Sequence, residues 1–359
     1  MPEPGPAAER LGAALAVAVP GVCAGAVAAV AVRGRVVAVA AGELVRYRDA
    51  AGALADDRPR VRTDSIFDLA SVTKIFTTVA ILSLVEQGLL SLDEPVAARL
   101  PAGYGGHPEA TLRHLLTHTA GLPAGRKVHE EIPGTAARME LILSTAPVGP
   151  CGGPYLYSDI GMITAGRVAE LAAGVSLADL VRDRVTGPLG LASTGYRPPA
   201  GLVPRIAATE YKPGRPGTGC VRGEVHDETA YGLGGVAGHA GLFATAGDVL
   251  RLGEALRMGG GPVLSGWTVA EMTRDQGVRG AGFRHGLGVR IGDPAANGPL
   301  TAAFGHSGFT GTALLVAPAH ALTVVLLTNH VHPVRGRPGL TALRHTIATE
   351  ALHLARMGQ

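Results

Sequence analysis

Hydrophobic positions along this chain change their period from strand-like to helical and back. Residues 24–44 carry Val and Ala at nearly every position, broken mainly by Arg33-Gly34-Arg35. This reads as two strands joined by a hairpin, since Gly supplies the positive φ of a tight turn. Residues 312–316 and 322–329 predict a second strand pair around Pro318-Ala319-His320, and residues 340–355 a terminal helix. Both chain ends are therefore expected to share one antiparallel sheet. Between them Ile75, Phe76, Val79, Leu82 and Val85 fall at spacings of three and four or their sums. A helix over residues 71–87 with one buried face follows, stopped by Gly88.

Several helix starts in the middle of the chain pair a Ser or Thr with an acid three residues later, which satisfies free backbone donors. Ser91 with Glu94, Ser176 with Asp179 and Thr245 with Asp248 fit this pattern and predict a set of short helices. The stretch 196–224 is rich in Pro and Gly and is expected on the surface, as a lid beside a cleft. The fold class that emerges is α/β (α+β): an antiparallel sheet from both chain ends flanked by helices, plus a mainly helical region. The 359 residues are expected to form one unit. Its α/β part comes from residues 1–68 and 281–359 and its mainly helical part from residues 69–280, with the cleft between them.

Composition narrows the partners. Hydrophobic residues at 47% and charged residues at 17% belong to a well-packed globular chain. The 32 basic and 29 acidic residues form no run of like charge, and aromatic residues are only 4%. Nucleic acid is excluded as a partner on both counts. Cys23, Cys151 and Cys220 are odd in number and far apart, which fits a reducing compartment and no zinc-ligand set. The uncharged stretch 11–32 is long enough to cross a bilayer. However, Pro20-Gly21 splits it, and Glu3 and Glu9 against Arg10 precede it where a signal peptide needs a positive start. A short helix, a turn and a first strand explain it better, so a cytoplasmic chain without a membrane span is expected.

Candidate chemistry sits in three segments. Ser71-Val72-Thr73-Lys74 opens the apolar helix, so a hydroxyl lies in its first turn and an amine projects from the same face. A serine hydroxyl needs a base to become a nucleophile. A desolvated lysine can have its pKa lowered toward that role, while the helix N-terminus favours developing negative charge. Tyr157-Ser158-Asp159 follows the turn Cys151-Gly152-Gly153-Pro154 and precedes a second helix, offering a phenol that can shuttle a proton. Gly305-His306-Ser307-Gly308-Phe309 precedes a strand, where small residues let a substrate backbone lie against a sheet edge.

In this order and at these separations, the three segments resemble the SxxK, YxN and K-T/S-G motifs of serine β-lactamases and penicillin-binding proteins. Phe67-Asp68-Leu69-Ala70, the segment Leu112-Arg113-His114-Leu115-Leu116-Thr117-His118-Thr119-Ala120-Gly121-Leu122 and residues 234–243 look like signature stretches of the class C-like branch. The similarity covers most of residues 15–350. It implies Ser71 as the acylated nucleophile, Lys74 and Tyr157 as general bases and acids, and the N–H groups of Ser71 and Phe309 as an oxyanion hole. Asp159, His306, Ser307 and Gly308 would complete the substrate and oxyanion contacts.

The resemblance further implies a small ester or amide substrate and neither metal nor cofactor. Hydrolysis is the leading reaction, with transfer to an amine or alcohol as its competitor; a D-Ala peptidase, a β-lactamase and a sensor that acylates without turnover are the alternatives. Two positions depart from the pattern: Asp159 stands for the usual Asn and His306 for the usual Lys. A His that is mostly neutral at pH 7 in place of a fixed cation, together with an added carboxylate, disfavours an anionic β-lactam. The chain is accordingly expected to resemble the esterase, peptidase and acyltransferase members and to be a poor penicillinase.

Other signals yield to plainer readings. His114 and His118 have an i, i+4 spacing but no third ligand and no HExxH context, so they read as structural. His226-Asp227-Glu228 and His239 are expected to order the loop beside the cleft. Gly232-Leu233-Gly234-Gly235-Val236-Ala237 lacks the strand and βαβ unit of a dinucleotide fingerprint. Gly305-His306-Ser307-Gly308-Phe309 approaches a nucleophile elbow but ends in Phe and leads into a strand. Mutation separates the two serine readings. Ser71→Ala is expected to abolish covalent labelling by a fluorescent fluorophosphonate and Ser307→Ala to leave it intact; the reverse pattern on a gel would move the nucleophile to the third segment.

Overall fold

The computed structural model describes residues 5–215 and 219–357; Glu3 and residues 216–218 of the Pro- and Gly-rich stretch lie outside the described residues. Its strands are β1 (Gly25–Val32), β2 (Arg35–Gly42), β3 (Ile66–Asp68), β4 (Gly195–Tyr196), β5 (Leu242–Thr245), β6 (Arg284–His285), β7 (Arg290–Ile291), β8 (Phe304–Ser307), β9 (Ala313–Ala317) and β10 (Leu322–Thr328). Seven of them make one antiparallel sheet in the order β2-β1-β10-β9-β8-β7-β6. The two chain ends meet within it, where β1 pairs with β10, as their apolar patterns predict.

Strand β1 shows why those patterns are continuous. Ala26, Ala28 and Val30 face a core with Leu11 and Leu15 of the helix Pro6–Ala18 and Leu343 and Ile347 of the helix Leu340–Met357. Val27, Ala29 and Ala31 face a second core that holds Phe76, Val79 and Leu252. Successive side chains of a strand point to opposite faces, so a strand covered on both must be apolar throughout. Asn329 then stitches the ends together: its Oδ1 accepts the Gly25 N–H at 2.7 Å and its Nδ2 donates to the Leu44 carbonyl at 3.3 Å.

The element over residues 71–87 is a 3₁₀ turn, Ala70–Val72, running into an α-helix, Thr73–Glu86. It is buried on all sides rather than on one face, since every residue from Thr73 to Leu84 is buried. Gly88, at φ 70°, ends it. A second sheet, β3-β5-β4, has no signature in the sequence pattern because β3 and β4 are three and two residues long. It matters because β3 ends at Asp68, just before the Ser71 turn, and pairs with β5 through Phe67 and Ala244.

Two local expectations need correction. Ser176 and Thr245 do cap helices, accepting from the Asp179 and Asp248 N–H groups. Ser91 does not: its hydroxyl accepts from Asp93 N–H, and the next helical turn, Val96–Ala98, starts after Pro95. Nor is the stretch 196–224 wholly a surface lid. Ile206, Ala207, Ala208 and Thr209 are buried, and Ile206 bridges to Ile66 of β3. Apolar residues there are held inside by the small sheet that sequence periodicity misses. Among the described residues no single helix is long and apolar enough to cross a membrane.

Candidate active site

Local strain and close packing deliver Ser71. Ala70 adopts φ 46°, a left-handed conformation that costs a non-glycine residue about 1–3 kcal/mol and persists only where its surroundings impose it. Here Asp68 imposes it. One carboxylate oxygen accepts the Ala70 N–H at 2.8 Å and the other the His226 N–H at 2.6 Å. The Asp68 and Leu69 carbonyls accept the Thr310 and Thr312 hydroxyls, each at 2.8 Å. Phe67-Asp68-Leu69-Ala70 thus ties the serine turn to the β8–β9 connection. The approach is close enough to require glycine at position 308, where a Cβ would lie 2.1 Å from Thr312 Oγ1 and 2.4 Å from the Leu69 carbonyl.

Tyr157 arrives from the turn before the helix Asp159–Ala173, which Ser158 caps by accepting the Gly161 N–H. The Ser158 hydroxyl donates to the Pro123 carbonyl at 2.6 Å. The Ser158 N–H donates to His118 Nδ1 at 3.1 Å and the Leu156 N–H to the His118 carbonyl at 2.9 Å. His118 therefore serves as a scaffold for the tyrosine. It does not share a helical face with His114, because the helix Leu112–Leu116 has already ended and His118 takes φ 58°, while His114 closes a capping box with Thr111. Burial holds the His118 imidazole well below its ordinary pKa; it is neutral, with its ring 4.8 Å from that of Tyr157.

The three distant segments converge. Ser71 Oγ lies 2.9 Å from Tyr157 Oη and 2.8 Å from Lys74 Nζ. Lys74 is fully buried, and its ammonium meets three acceptors: Ser71 Oγ, the His239 carbonyl at 3.2 Å and an Asp159 carboxylate oxygen at 2.8 Å. Burial alone would push the lysine down. The charge of the Asp159 carboxylate, with a smaller contribution from Tyr157 beside it, outweighs burial and holds Lys74 above its ordinary value, which corrects the expectation of a lysine lowered toward neutrality. Lys74 donates to Ser71 Oγ, which keeps one lone pair and its own proton, so a proton can pass in either direction across the Ser71–Tyr157 contact.

These groups open onto a cavity of about 540 Å³ whose walls include Ser71, Tyr157, Asp159, Ser307, Gly308 and Phe309. His306 stands behind that wall, because alternation along β8 turns it away from the face that presents Ser307. Its Nδ1–H donates to the Ser307 carbonyl at 2.7 Å, and its ring lies 6.3 Å from that of Tyr157. Burial, then the charges of Arg290 and Lys74, keep it neutral, well below its ordinary pKa. The expected substrate contact by His306 is therefore not available.

Three arginines that the sequence reading passed over also line the cavity: Arg290 of β7, Arg335, and Arg344 of the terminal helix. Arg290 lies 5.2 Å from the centre of the Tyr157 ring, and Arg344 donates to the Gly308 and Thr312 carbonyls at 3.2 and 3.1 Å. Isolated arginines on a two-residue strand and an amphipathic helix carry no motif that could have announced them. Arg290 is paired with Asp293 at 2.9 Å and Arg335 with Glu210 and Glu228, whereas Arg344 meets backbone carbonyls, and Lys74 offsets the charge of Asp159. Among the described residues no group of three or more His, Cys, Asp or Glu side chains is placed to hold a metal ion.

A family model described as Beta-lactamase matches residues 13–348. The chain belongs to the beta-lactamase family. A relative from Escherichia coli (strain K12), named as a putative D-alanyl-D-alanine carboxypeptidase, is 31% identical over 332 residues, covering 80% of this chain and 76% of its own. Among solved structures, EstCE1, described as a hydrolase with promiscuous acyltransferase activity, is 26% identical with a TM-score of 0.73, over 95% of this chain and 98% of its own. Unliganded simvastatin synthase from Aspergillus terreus shares the fold at 20% identity and TM-score 0.76, over 99% and 100% of the two chains. Members of the beta-lactamase family are serine hydrolases and acyltransferases, and the β-lactamase/transpeptidase fold expected from the motifs is the one observed.

The Lys74–Asp159 pair sets the sign of a direct test. A group held above its ordinary pKa by a neighbouring carboxylate titrates lower when that charge is removed. In Asp159→Asn the Lys74 ammonium is expected to lose its proton at lower pH than in the wild type, as followed by NMR of protein labelled at lysine ¹³Cε. A titration that stays in place or moves upward would contradict the assignment.

Proposed function

We propose that this protein is a serine-dependent acyl-transfer enzyme acting on a small ester or amide, with Ser71 taking the acyl group and water as the principal acceptor. The observation that carries the reading is the contact of Ser71 Oγ with both Tyr157 Oη, at 2.9 Å, and Lys74 Nζ, at 2.8 Å, on the wall of an open cavity. In the forward step Ser71 Oγ bonds to the acyl carbon while its proton passes to Tyr157 Oη. Tyr157 releases its own proton to the departing alcohol or amine, so the phenol is neutral before and after. Lys74 remains an ammonium throughout and stabilises the negative charge that passes across Ser71 Oγ. Deacylation runs the same relay in reverse, with water, or an amine or alcohol in a transferase, supplying the proton.

The N–H groups of Ser71 and Phe309 suit the oxyanion role, since among the described residues neither has a hydrogen-bond acceptor. Such preorganised donors are worth about 10²–10³-fold each in acyl transfer. An intact relay of this kind serves deacylation as well as acylation, which favours turnover over a sensor that only acylates. A second reading, an amidase for substrates ending in a carboxylate, is favoured by Arg290 and Arg344 on the cavity wall. It is also consistent with the name of the 31%-identical relative, a putative D-alanyl-D-alanine carboxypeptidase.

Intact-mass spectrometry with a panel of esters, amides and acyl thioesters, with and without added amines, tests both readings. An acyl adduct that requires Ser71 is expected, and in Tyr157→Phe its rate of formation falls by about 10²–10⁴-fold. Product mass reports the acceptor, as free acid for a hydrolase and as a new amide for a transferase. A Tyr157→Phe variant that acylates at the wild-type rate would end the relay.

A further inference from the structure

We infer that Glu210 is a positioning residue for the oxyanion donor Phe309, acting through His226 and Arg335. The inference rests on the acyl-transfer reading above, which assigns the Phe309 N–H to the oxyanion hole.

Phe309 stands at the tip of the β8–β9 turn and is 55% exposed, so packing into the core does not fix it. Two polar side chains hold it instead. The His226 ring stacks on it at 5.7 Å and 23°, and the Arg335 guanidinium lies over it at 5.2 Å, the geometry in which a cation is attracted to a ring face. His226 and Arg335 come from different parts of the chain and meet at one carboxylate. Glu210 Oε2 contacts His226 Nε2 at 2.9 Å, and Glu210 Oε1 accepts Arg335 Nε–H at 2.7 Å, with a second bond from Arg335 Nη2 to Oε2.

Glu210 is itself anchored. Its carbonyl accepts the Val221 N–H, the next residue's N–H donates to the Pro333 carbonyl, and its side chain is 13% exposed. Burial opposes its charge, yet His226 and Arg335 keep the carboxyl well below the usual carboxylate range. The platform has a second support: Lys212 donates to the His226 carbonyl at 2.7 Å and to Glu228 at 2.6 Å, and Glu228 accepts from Arg335 at 2.9 Å. On the serine side His226 N–H is fixed to Asp68, the residue that shapes the Ser71 turn. Both oxyanion donors are thereby referred to one rigid group, and a half-ångström drift of the Phe309 turn would misplace its N–H relative to the developing charge.

The test uses the full chain with p-nitrophenyl acetate and measures kcat and KM in the wild type, E210Q, F309L, the double variant and S71A. Gln offers one carbonyl oxygen where the carboxylate served two donors, and Leu keeps the backbone N–H while removing the ring. Each single variant is expected to lower kcat about tenfold, less than loss of a donor outright. KM should change by less than about twofold, the signature of an interaction made in the transition state. The double variant should be no worse than the singles, because both break one link. Losses that multiply in the double variant, or a wild-type kcat in E210Q, would overturn the inference. If E210Q does not fold, R335Q at the exposed rim gives the same reading. Turnover surviving in S71A would sink the acyl-transfer reading itself, whereas an inactive S71A beside an unaffected E210Q would sink only the role of Glu210.

Discussion

A lysine ammonium with no exposed surface is the constraint around which this site is organised. Removing an ammonium from water costs several kcal/mol unless nearby groups replace its hydration. Lys74 has three such groups: it donates to the serine hydroxyl and the His239 carbonyl and forms an ion pair with the Asp159 carboxylate. Each comes from a different part of the chain, so satisfying one buried charge fixes three segments relative to one another. The same requirement holds Ser71 Oγ 2.9 Å from Tyr157 Oη, within reach for proton transfer.

Everything that supports the contact is short and long-range. Asp68 holds the strained Ala70 and the His226 loop, and the β8–β9 turn closes onto Leu69 through Thr312 across a gap that only Gly308 allows. His239, whose carbonyl receives Lys74, is fixed by its ring, Nε2 to Asp227 Oδ1 at 2.8 Å. Asp227 in turn caps the short helix Glu228–Gly232. Polar groups between buried elements thus carry the precision, while the two apolar cores on either face of the large sheet carry the bulk stability.

Much of this is legible in the sequence where the signal is local. The hairpin of β1 and β2, the strands β9 and β10, the terminal helix and the helix after Ser71 all show in apolar period, because each is long enough to repeat. The Ser71, Lys74 and Tyr157 constellation is legible through the resemblance of the three segments, in order and separation, to the motifs of the family. What escapes is non-local. A two-residue strand has no period, so β4 and the small sheet are invisible. Buried residues 206–209 look like loop because the strand they pack on lies far away in sequence. The upward shift of Lys74 depends on Asp159, 85 positions later, and a lone lysine gives no hint of which of burial or charge wins. Arg290 and Arg344 carry no motif, and their place on the cavity wall comes from sheet order and helix packing.

Within its family the chain keeps the serine, the lysine and the phenol of the motif pattern but redistributes charge around them, with a carboxylate paired to the lysine and arginines on the cavity wall in place of a third-motif lysine. The central claim is that Ser71 is the attacking group and that a tetrahedral adduct on it places its oxygen between two backbone donors. A crystal structure of the protein after reaction with a phosphonate ester tests this directly. The expected result is continuous density from Ser71 Oγ to phosphorus, with one phosphoryl oxygen about 3 Å from both the Ser71 and Phe309 nitrogens, the separation of a charge-assisted hydrogen bond. Phosphorus bonded to another residue, or an adduct on Ser71 with its oxygen turned away from both nitrogens, would contradict it.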